Sequence, residues 1–310
     1  MAIRRVGRLL SLIYSFRPFQ WVKNLAVFAA IIFNGELFDW DLFQRSFLAF
    51  WAFCLVSSAS YLINDIVDAP YDRLHPLKKN RPIARGDIRP IEAKMAALIL
   101  VSTGLLIASY LGWLFFVLLV IFFSLHLFYS FYLKKIAVFD ILAISFSFIL
   151  RALGGEVATG YHLPIWLMFT VVFLSLFIAS GKRRSELVVE GTKARPALMN
   201  YEKALLNFYT SVFAVSTLIS YSLFTYFVKP ISFSHPRIRA FLIEHLPYLV
   251  DRKWLMTTIF PVILGIMRYS QLVFEKKEGQ RPEKLLVSDI PLSIIVLLWG
   301  LMIILIIYVL

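Results

Sequence analysis

Cysteine and acidic side chains are both scarce in this chain of 310 residues. The one cysteine, Cys54, stands inside an apolar run, which excludes an internal disulfide and a thiolate metal cluster. It reads as a packing residue. His75, His126, His162, His235 and His245 are dispersed, so no His/Cys metal site is expected. His75, before Pro76, reads as a turn residue and His126 as a hydrogen-bonded helix contact. Neither a Ser/His/Asp arrangement nor a Walker-type phosphate loop is visible. The N-terminus has three arginines up to Arg8 and then only Leu9 to Tyr14 as an apolar stretch, so no removable signal peptide is expected. A soluble domain and a low-complexity tail are missing as well.

What is present is apolar. Hydrophobic residues make up 60% of the chain and charged residues 16%, with a mean hydropathy of +0.76, values that belong to an integral membrane protein. About 20 apolar residues cross a bilayer core as a helix. On that ruler the chain is one all-α transmembrane domain, 1–310, with about nine spans near 20–34, 46–64, 92–111, 113–131, 138–159, 163–180, 205–228, 254–274 and 290–310. The small charged fraction is lopsided, with 32 Lys plus Arg against 19 Asp plus Glu and a net charge of +13. These cations are scattered between apolar runs rather than gathered on a soluble module, which excludes nucleic acid as the partner. Anionic membrane lipids and phosphorylated substrates remain. A homo-oligomer is compatible with the sequence.

The cations alternate along the chain. They gather in Arg4 to Arg17, Arg73 to Arg89, Lys134 and Lys135, Lys182 to Lys203 and Lys276 to Lys284, whereas the intervening connections hold few. By the positive-inside rule this predicts a cytoplasmic N-terminus and an outside C-terminus for a multi-pass protein of the cell membrane. The longest polar connections are 65–91 and 181–203 on the cytoplasmic face and 229–253 on the other. The last carries Pro230, Pro236 and Pro247 among aromatics and is expected to form a structured or interfacial cap.

The residues with most chemistry are Asn64, Asp65, Asp68 and Asp72, at the cytoplasmic end of the second span. Offsets of three and seven put the three carboxylates on one helical face. Unpartnered they would repel one another. A hard divalent cation removes the repulsion, and Mg²⁺ is commonly held by one or two carboxylates together with substrate phosphate oxygens. Six cations precede residue 90 in the loop that follows, which favours a Mg²⁺-diphosphate site over a solvated helix end. Pro70 interrupts the helical pattern and is expected to leave Asp72 on a loop.

The pattern Asn64-Asp65-x-x-Asp68-x-x-x-Asp72 at the end of a second transmembrane helix resembles the UbiA superfamily of intramembrane prenyltransferases, over essentially the whole chain. Arg17 to Asn24, His75 to Ala84 and Lys182 to Leu187 resemble one branch, the decaprenyl-phosphate phosphoribosyltransferases. The resemblance implies a UbiA-type helical bundle with its active site on the cytoplasmic side. It also implies Mg²⁺-dependent transfer of a 5-phosphoribosyl group from phosphoribosyl pyrophosphate to a polyprenyl phosphate, toward a cell-wall arabinan precursor. Ordinary members carry a second acid-rich motif near the middle, where this chain has Asp140 without a second acid and then Phe148 to Gly155. A second metal held by protein acids is therefore not expected.

On this reading Asp65, Asp68 and Asp72 hold the metal and Asn64 orients them, while Lys78, Arg81, Lys182 and Arg183 neutralise the other phosphate oxygens. Lys134 and Arg151 place the lipid phosphate. Tyr129 and Glu186 complete the candidate substrate-binding set. Lys23 and Arg151 fall within apolar segments, where an unpaired charge costs at least about 2.5 kcal/mol. Each is expected to face a polar cavity, with snorkelling as the alternative for Lys23 and the favoured account for Arg268. A prenyltransferase acting on a polyprenyl diphosphate shares the acidic motif, and a lipid transporter would need paired internal repeats, which are not seen.

Overall fold

The computed structural model describes residues 7–74, 78–191, 196–228, 244–245, 252–276 and 278–309, and among them it is all-helical. Eight helices are long and apolar enough to cross a membrane. In chain order the α-helices are α1 (Arg8–Ser15), α2 (Ala29–Phe33), α3 (Trp40–Asp72), α4 (Pro82–Arg85), α5 (Pro90–Leu111), α6 (Trp113–Phe131), α7 (Phe139–Thr159), α8 (Ile165–Glu190), α9 (Lys203–Phe227), α10 (Ile259–Phe274), α11 (Pro282–Ser288) and α12 (Ile290–Tyr308). Trp254–Thr258, a short 3-10 helix, leads into α10. Of the expected 229–253 cap only 244–245 and 252–253 fall among the described residues, and His75 to Leu77 also lie outside them.

The first expected span takes another form. Pro18–Phe28 is a 3-10 helix of 11 residues, continued by the five residues of α2. At roughly 2.0 Å per residue in the first part and 1.5 Å in the second, the pair reaches about 30 Å, the thickness of a bilayer core. Its ends agree: Arg17 pairs with Asp65 at the C-terminal end of α3, while the carbonyls of Ile31 and Ile32 accept from Tyr308 at the end of α12. Three residues per turn stack every third side chain, giving this helix three stripes. Arg17, Gln20 and Lys23 bear on acids. Trp21, Asn24 and Val27 face α3 and α7, with the Trp21 indole donating to Ser58 (3.1 Å) and Asn24 to Cys54 (3.1 Å). Phe19, Val22 and Leu25 are exposed, as a lipid-facing stripe requires.

Two boundaries move. Helix α3 runs through Pro70 and keeps Asp72 on the helix, because a proline this close to the end removes a single hydrogen bond. Helix α8 continues past the expected end at residue 180 to Glu190, so Lys182 to Glu186 are helical rather than a loop. Arg268, expected to snorkel, forms a forked pair with Asp289, at 3.0 and 2.7 Å.

Association of helices in lipid relies on close packing and interhelical hydrogen bonds, and both are present. Ser145 and Ser175 join α7 to α8 at 2.6 Å, and Thr170 and Ser220 join α8 to α9 at 3.1 Å. Tyr221, Thr258 and Trp299 link α9, the turn before α10, and α12. Gly154 and Gly155 let α7 approach its neighbours. A Cβ on Gly155 would stand 2.0 Å from the Val27 carbonyl oxygen, and one on Gly154 would enter the Phe53 ring. Gly155→Ala is therefore expected to destabilise the protein by about 1–3 kcal/mol through overpacking. Gly300→Ala, with open space around it, is expected to leave the thermal midpoint in detergent unchanged or slightly raised.

Candidate active site

All three motif acids lie on the last two turns of α3, with Asp65 and Asp72 buried. Each meets a cation brought from elsewhere in the chain. Arg81 Nη1 stands 3.1 Å from Asp65 and 2.7 Å from Asp72, so one positive charge is shared by two carboxylates. Helix α4 sets Arg81 in place: Ile83 and Ala84 are buried, the Ala84 carbonyl accepts from Arg73 (3.2 Å), and Gly86 ends the turn at φ +88°. Lys78 opens the turn before it, its carbonyl accepting from the Arg81 N–H at 2.9 Å. From the other side Arg17 reaches Asp65 and stacks on Tyr61 at 5.0 Å. Arg17 has φ +56°, a conformation unusual for a side chain with a Cβ, which turns α1 into the 3-10 helix. Asp68 faces differently. Lys134 Nζ lies 2.6 Å from it and 3.3 Å from Asn64, and Asn64 donates to Asp68 at 3.0 Å.

A second polar group lies further along the 3-10 helix. Glu283, in the first turn of α11, accepts from Gln20, and its Oε2 stands 3.4 Å from Lys23 Nζ, an ionic contact without a hydrogen bond. Gln20 Oε1 in turn accepts from Lys23. Burial would raise the Glu283 pKa, but Lys23 and Lys182 beside it, with Gln20, pull it down to about 2. It is ionised throughout the neutral range. Lys23 thus lies within a polar group of Gln20 and Glu283.

Two expectations are corrected. Arg183 does not face the phosphate region: it is fully buried, paired with Asp140 and with Glu186 (2.5 Å), and donates to Tyr129 (2.8 Å). Tyr201 closes this knot by donating to Asp140 at 2.8 Å, and the Val138 N–H donates to Tyr201. Burial and the adjacent Asp140 push the Tyr201 hydroxyl pKa up. Val138, at φ +71°, is held in a strained turn there. Tyr129 and Glu186 thus take part in joining α6, α7 and α8. Arg151 is also turned inward, donating to Asn24 (2.6 Å), the Ser147 carbonyl (2.6 Å) and Ser147 Oγ (3.0 Å), between the Phe122 and Phe148 rings. Arg17, Gln20 and Glu283 were missed as site residues. Arg17 and Gln20 carried a signal, since both stand in the segment that resembles the phosphoribosyltransferase branch; Glu283 carried none.

Two carboxylates converging on one guanidinium nitrogen show that Asp65 and Asp72 can bracket a cation, and their hard oxygens suit Mg²⁺. Among the described residues no group of three His, Cys, Asp or Glu forms a complete metal cage, so substrate oxygens would have to complete the coordination. The Arg183 knot yields its own prediction. Arg183→Gln leaves Asp140 and Glu186 buried without their cation and is expected to destabilise the protein by about 3–5 kcal/mol, read as a lower thermal midpoint in detergent. A normal midpoint with impaired substrate binding would return Arg183 to the site.

The model of the UbiA prenyltransferase family matches residues 25–228. Over 295 residues the chain is 34% identical to the decaprenyl-phosphate phosphoribosyltransferase of Mycolicibacterium smegmatis, covering 93% of this chain and 89% of that one. Over 306 residues it is 32% identical to the enzyme of the same name from Corynebacterium glutamicum, covering 96% and 87%. Its fold is that of a UbiA homologue from Archaeoglobus fulgidus solved with GPP and Mg²⁺, with a TM-score of 0.68 at 16% identity over 94% of this chain and 96% of that one. Eight membrane-length apolar helices, the acidic motif on α3 and these likenesses agree that the chain is a multi-pass membrane protein and belongs to the UbiA prenyltransferase family.

Proposed function

We propose that this protein transfers a 5-phosphoribosyl group from phosphoribosyl pyrophosphate to a polyprenyl phosphate, for a cell-wall arabinan precursor. The C1–O bond to pyrophosphate breaks, pyrophosphate leaves with the bonding electrons, and C1 forms a new bond to a phosphate oxygen of the lipid. The observation that carries this reading is Asp140. It stands where a second acid-rich motif would be expected, yet it is fully buried against Arg183 and Tyr201. Among the described residues one acidic pole therefore remains, on α3, whereas a prenyltransferase of the ordinary kind is expected to have two. Relatives named for this activity match over most of their length.

Asp65 and Asp72 would hold Mg²⁺, which supplies positive charge to the leaving pyrophosphate. Arg81 and Arg17, which neutralise these acids in the free protein, are within reach to form charge-assisted hydrogen bonds to phosphate oxygens. Positive charge develops on the ribose as C1–O loosens, as in oxocarbenium-like glycoside cleavage. The acceptor is already anionic near neutral pH, since a phosphomonoester's second pKa is about 6. It needs placement rather than a base. Lys134, held by Asp68 and Asn64, is suited to place it, and the apolar outer faces of the helices accommodate the polyprenyl tail. The cation-rich acidic end is cytoplasmic on this reading and the protein sits in the cell membrane, with its N-terminus inside and C-terminus outside.

Purified protein given labelled phosphoribosyl pyrophosphate, Mg²⁺ and polyprenyl phosphate is expected to yield a lipid-soluble label, and a chelator is expected to abolish it. Asp65→Asn is expected to lower the rate by about 10²- to 10³-fold, the scale of removing one charge-stabilising group, without preventing extraction of folded protein. Turnover of a polyprenyl diphosphate with an aromatic acceptor, and none of the phosphoribosyl donor, would overturn the reading.

A further inference from the structure

The Lys23–Glu283 cluster is not explained by the acidic pole. Glu283 lies 260 residues from Lys23 in sequence, on a seven-residue helix between two membrane spans. That helix is firmly placed. Leu285 is buried with Leu272, Val273, Leu292 and Phe177, and Gly279, just before the helix, packs so closely on α8 that a Cβ there would stand 2.6 Å from Ser185 Oγ. The segment between α10 and α12 thus returns onto α8 and presents one carboxylate to the 3-10 helix.

Exposure is divided unequally within the pair. The Glu283 side chain is 7% exposed, the Lys23 side chain 22%. The carboxylate is sealed while the ammonium remains reachable. A second ammonium, Lys182 on α8, adds its field at Glu283. The buried carboxylate offsets the repulsion between these two lysines while leaving a net positive charge. Position matters too. Lys23 lies six residues beyond Arg17 on the same 3-10 stripe, about 12 Å along the axis at roughly 2.0 Å per residue, and Arg17 marks the acidic pole through Asp65. The site has two cationic poles, one next to acids able to hold a metal and one without them.

We propose that Glu283 is a positioning residue that holds Lys23, on the side of the 3-10 helix facing α8, as a receptor for a phosphate monoester outside the metal's reach. This rests on the phosphoribosyl-transfer reading. Two substrates of that reaction carry such a group, the donor through its 5-phosphate and the acceptor through its lipid phosphate. The spacing of the poles suits the donor, which has phosphoryl groups at both ends of a ribose. Gln20 tethers both partners of the Lys23–Glu283 pair and sets the direction of the lysine.

The test measures kcat and KM separately for phosphoribosyl pyrophosphate and for polyprenyl phosphate in the wild type, Glu283→Gln, Glu283→Asp, Lys23→Met and the Lys23→Met/Glu283→Gln double variant. Glu283→Gln is expected to raise KM about tenfold for one substrate, with kcat and the other KM little changed; the substrate affected identifies the source of the phosphate. Glu283→Asp is expected to recover part of the loss, and the double variant to be no worse than Lys23→Met alone. Unchanged KM values in an active variant, or an equal rise in both, would overturn the proposal, because a purely structural contact does not favour one substrate. Should Glu283→Gln fail to fold, the Glu283→Asp variant carries the same comparison. A wild type that transfers no phosphoribosyl group would sink the functional reading instead. The receptor is then judged by whether inorganic phosphate raises the wild-type thermal midpoint and fails to raise that of Glu283→Gln; equal stabilisation, or none in the wild type, overturns it.

Discussion

Carboxylates buried at the end of a helix bundle in lipid are tolerated only when cations stand beside them, because removing an ion from water is expensive and little else offsets it. Asp65, Asp72, Asp140 and Glu283 obey this constraint, and the half-buried Asp68 is paired as well; the partners come from separate parts of the chain: Arg17, Arg81, Lys134, Arg183 and Lys23. Satisfying the acids therefore folds the connections over the end of α3. The same low dielectric gives the site its character. In the free protein the acids and cations neutralise one another, so on the proposed function a metal with a phosphorylated donor would exchange those partners rather than enter a vacant cage. The Arg183–Asp140 pair, fully buried, stands apart from these acids and fixes α6, α7 and α8 around it.

The 3-10 helix links that electrostatic end to the rest of the bundle. An α-helix of 16 residues would reach only about 24 Å, short of the bilayer core; the 3-10 turn extends the reach and changes the side-chain period to three. This places Arg17, Gln20 and Lys23 on one stripe and Trp21, Asn24 and Val27 on another. The second stripe requires close contact with α7, supplied by Gly155 beneath the Val27 carbonyl, and Asn24 then receives the Arg151 guanidinium. Arg151 thereby acts as a pin in the membrane interior. Cation–π contact with Phe122 and Phe148 compensates part of its lost hydration.

Much of this was legible in the sequence. Apolar run lengths gave the crossings, and the spacing of the acids put Asp65 and Asp72 on one face, while Asp68 turns to Lys134 instead; Arg81 and Lys134 were expected as phosphate ligands, not as partners of the acids. What escaped had physical reasons. The 3-10 period is invisible when an apolar run is read with a helical period of 3.6. Arg183 and Glu186 sit in a charged run that looks solvated, and only the continuation of α8 to Glu190 turns Arg183 inward toward Asp140. Glu283 lies in an ordinary polar connection, and its relation to Lys23 is purely tertiary. Pro70 misled because its helix-breaking tendency matters less in a final turn.

The central claim is the exchange of partners at Asp65 and Asp72. Its most direct measurement is an anomalous-scattering map of the protein with Mn²⁺ in place of Mg²⁺ and phosphoribosyl pyrophosphate bound. The account predicts a metal peak ligated by Asp65 and Asp72, with the Arg81 guanidinium moved from between the two carboxylates onto a phosphate. A metal bound elsewhere while Arg81 still bridges Asp65 and Asp72 would contradict it.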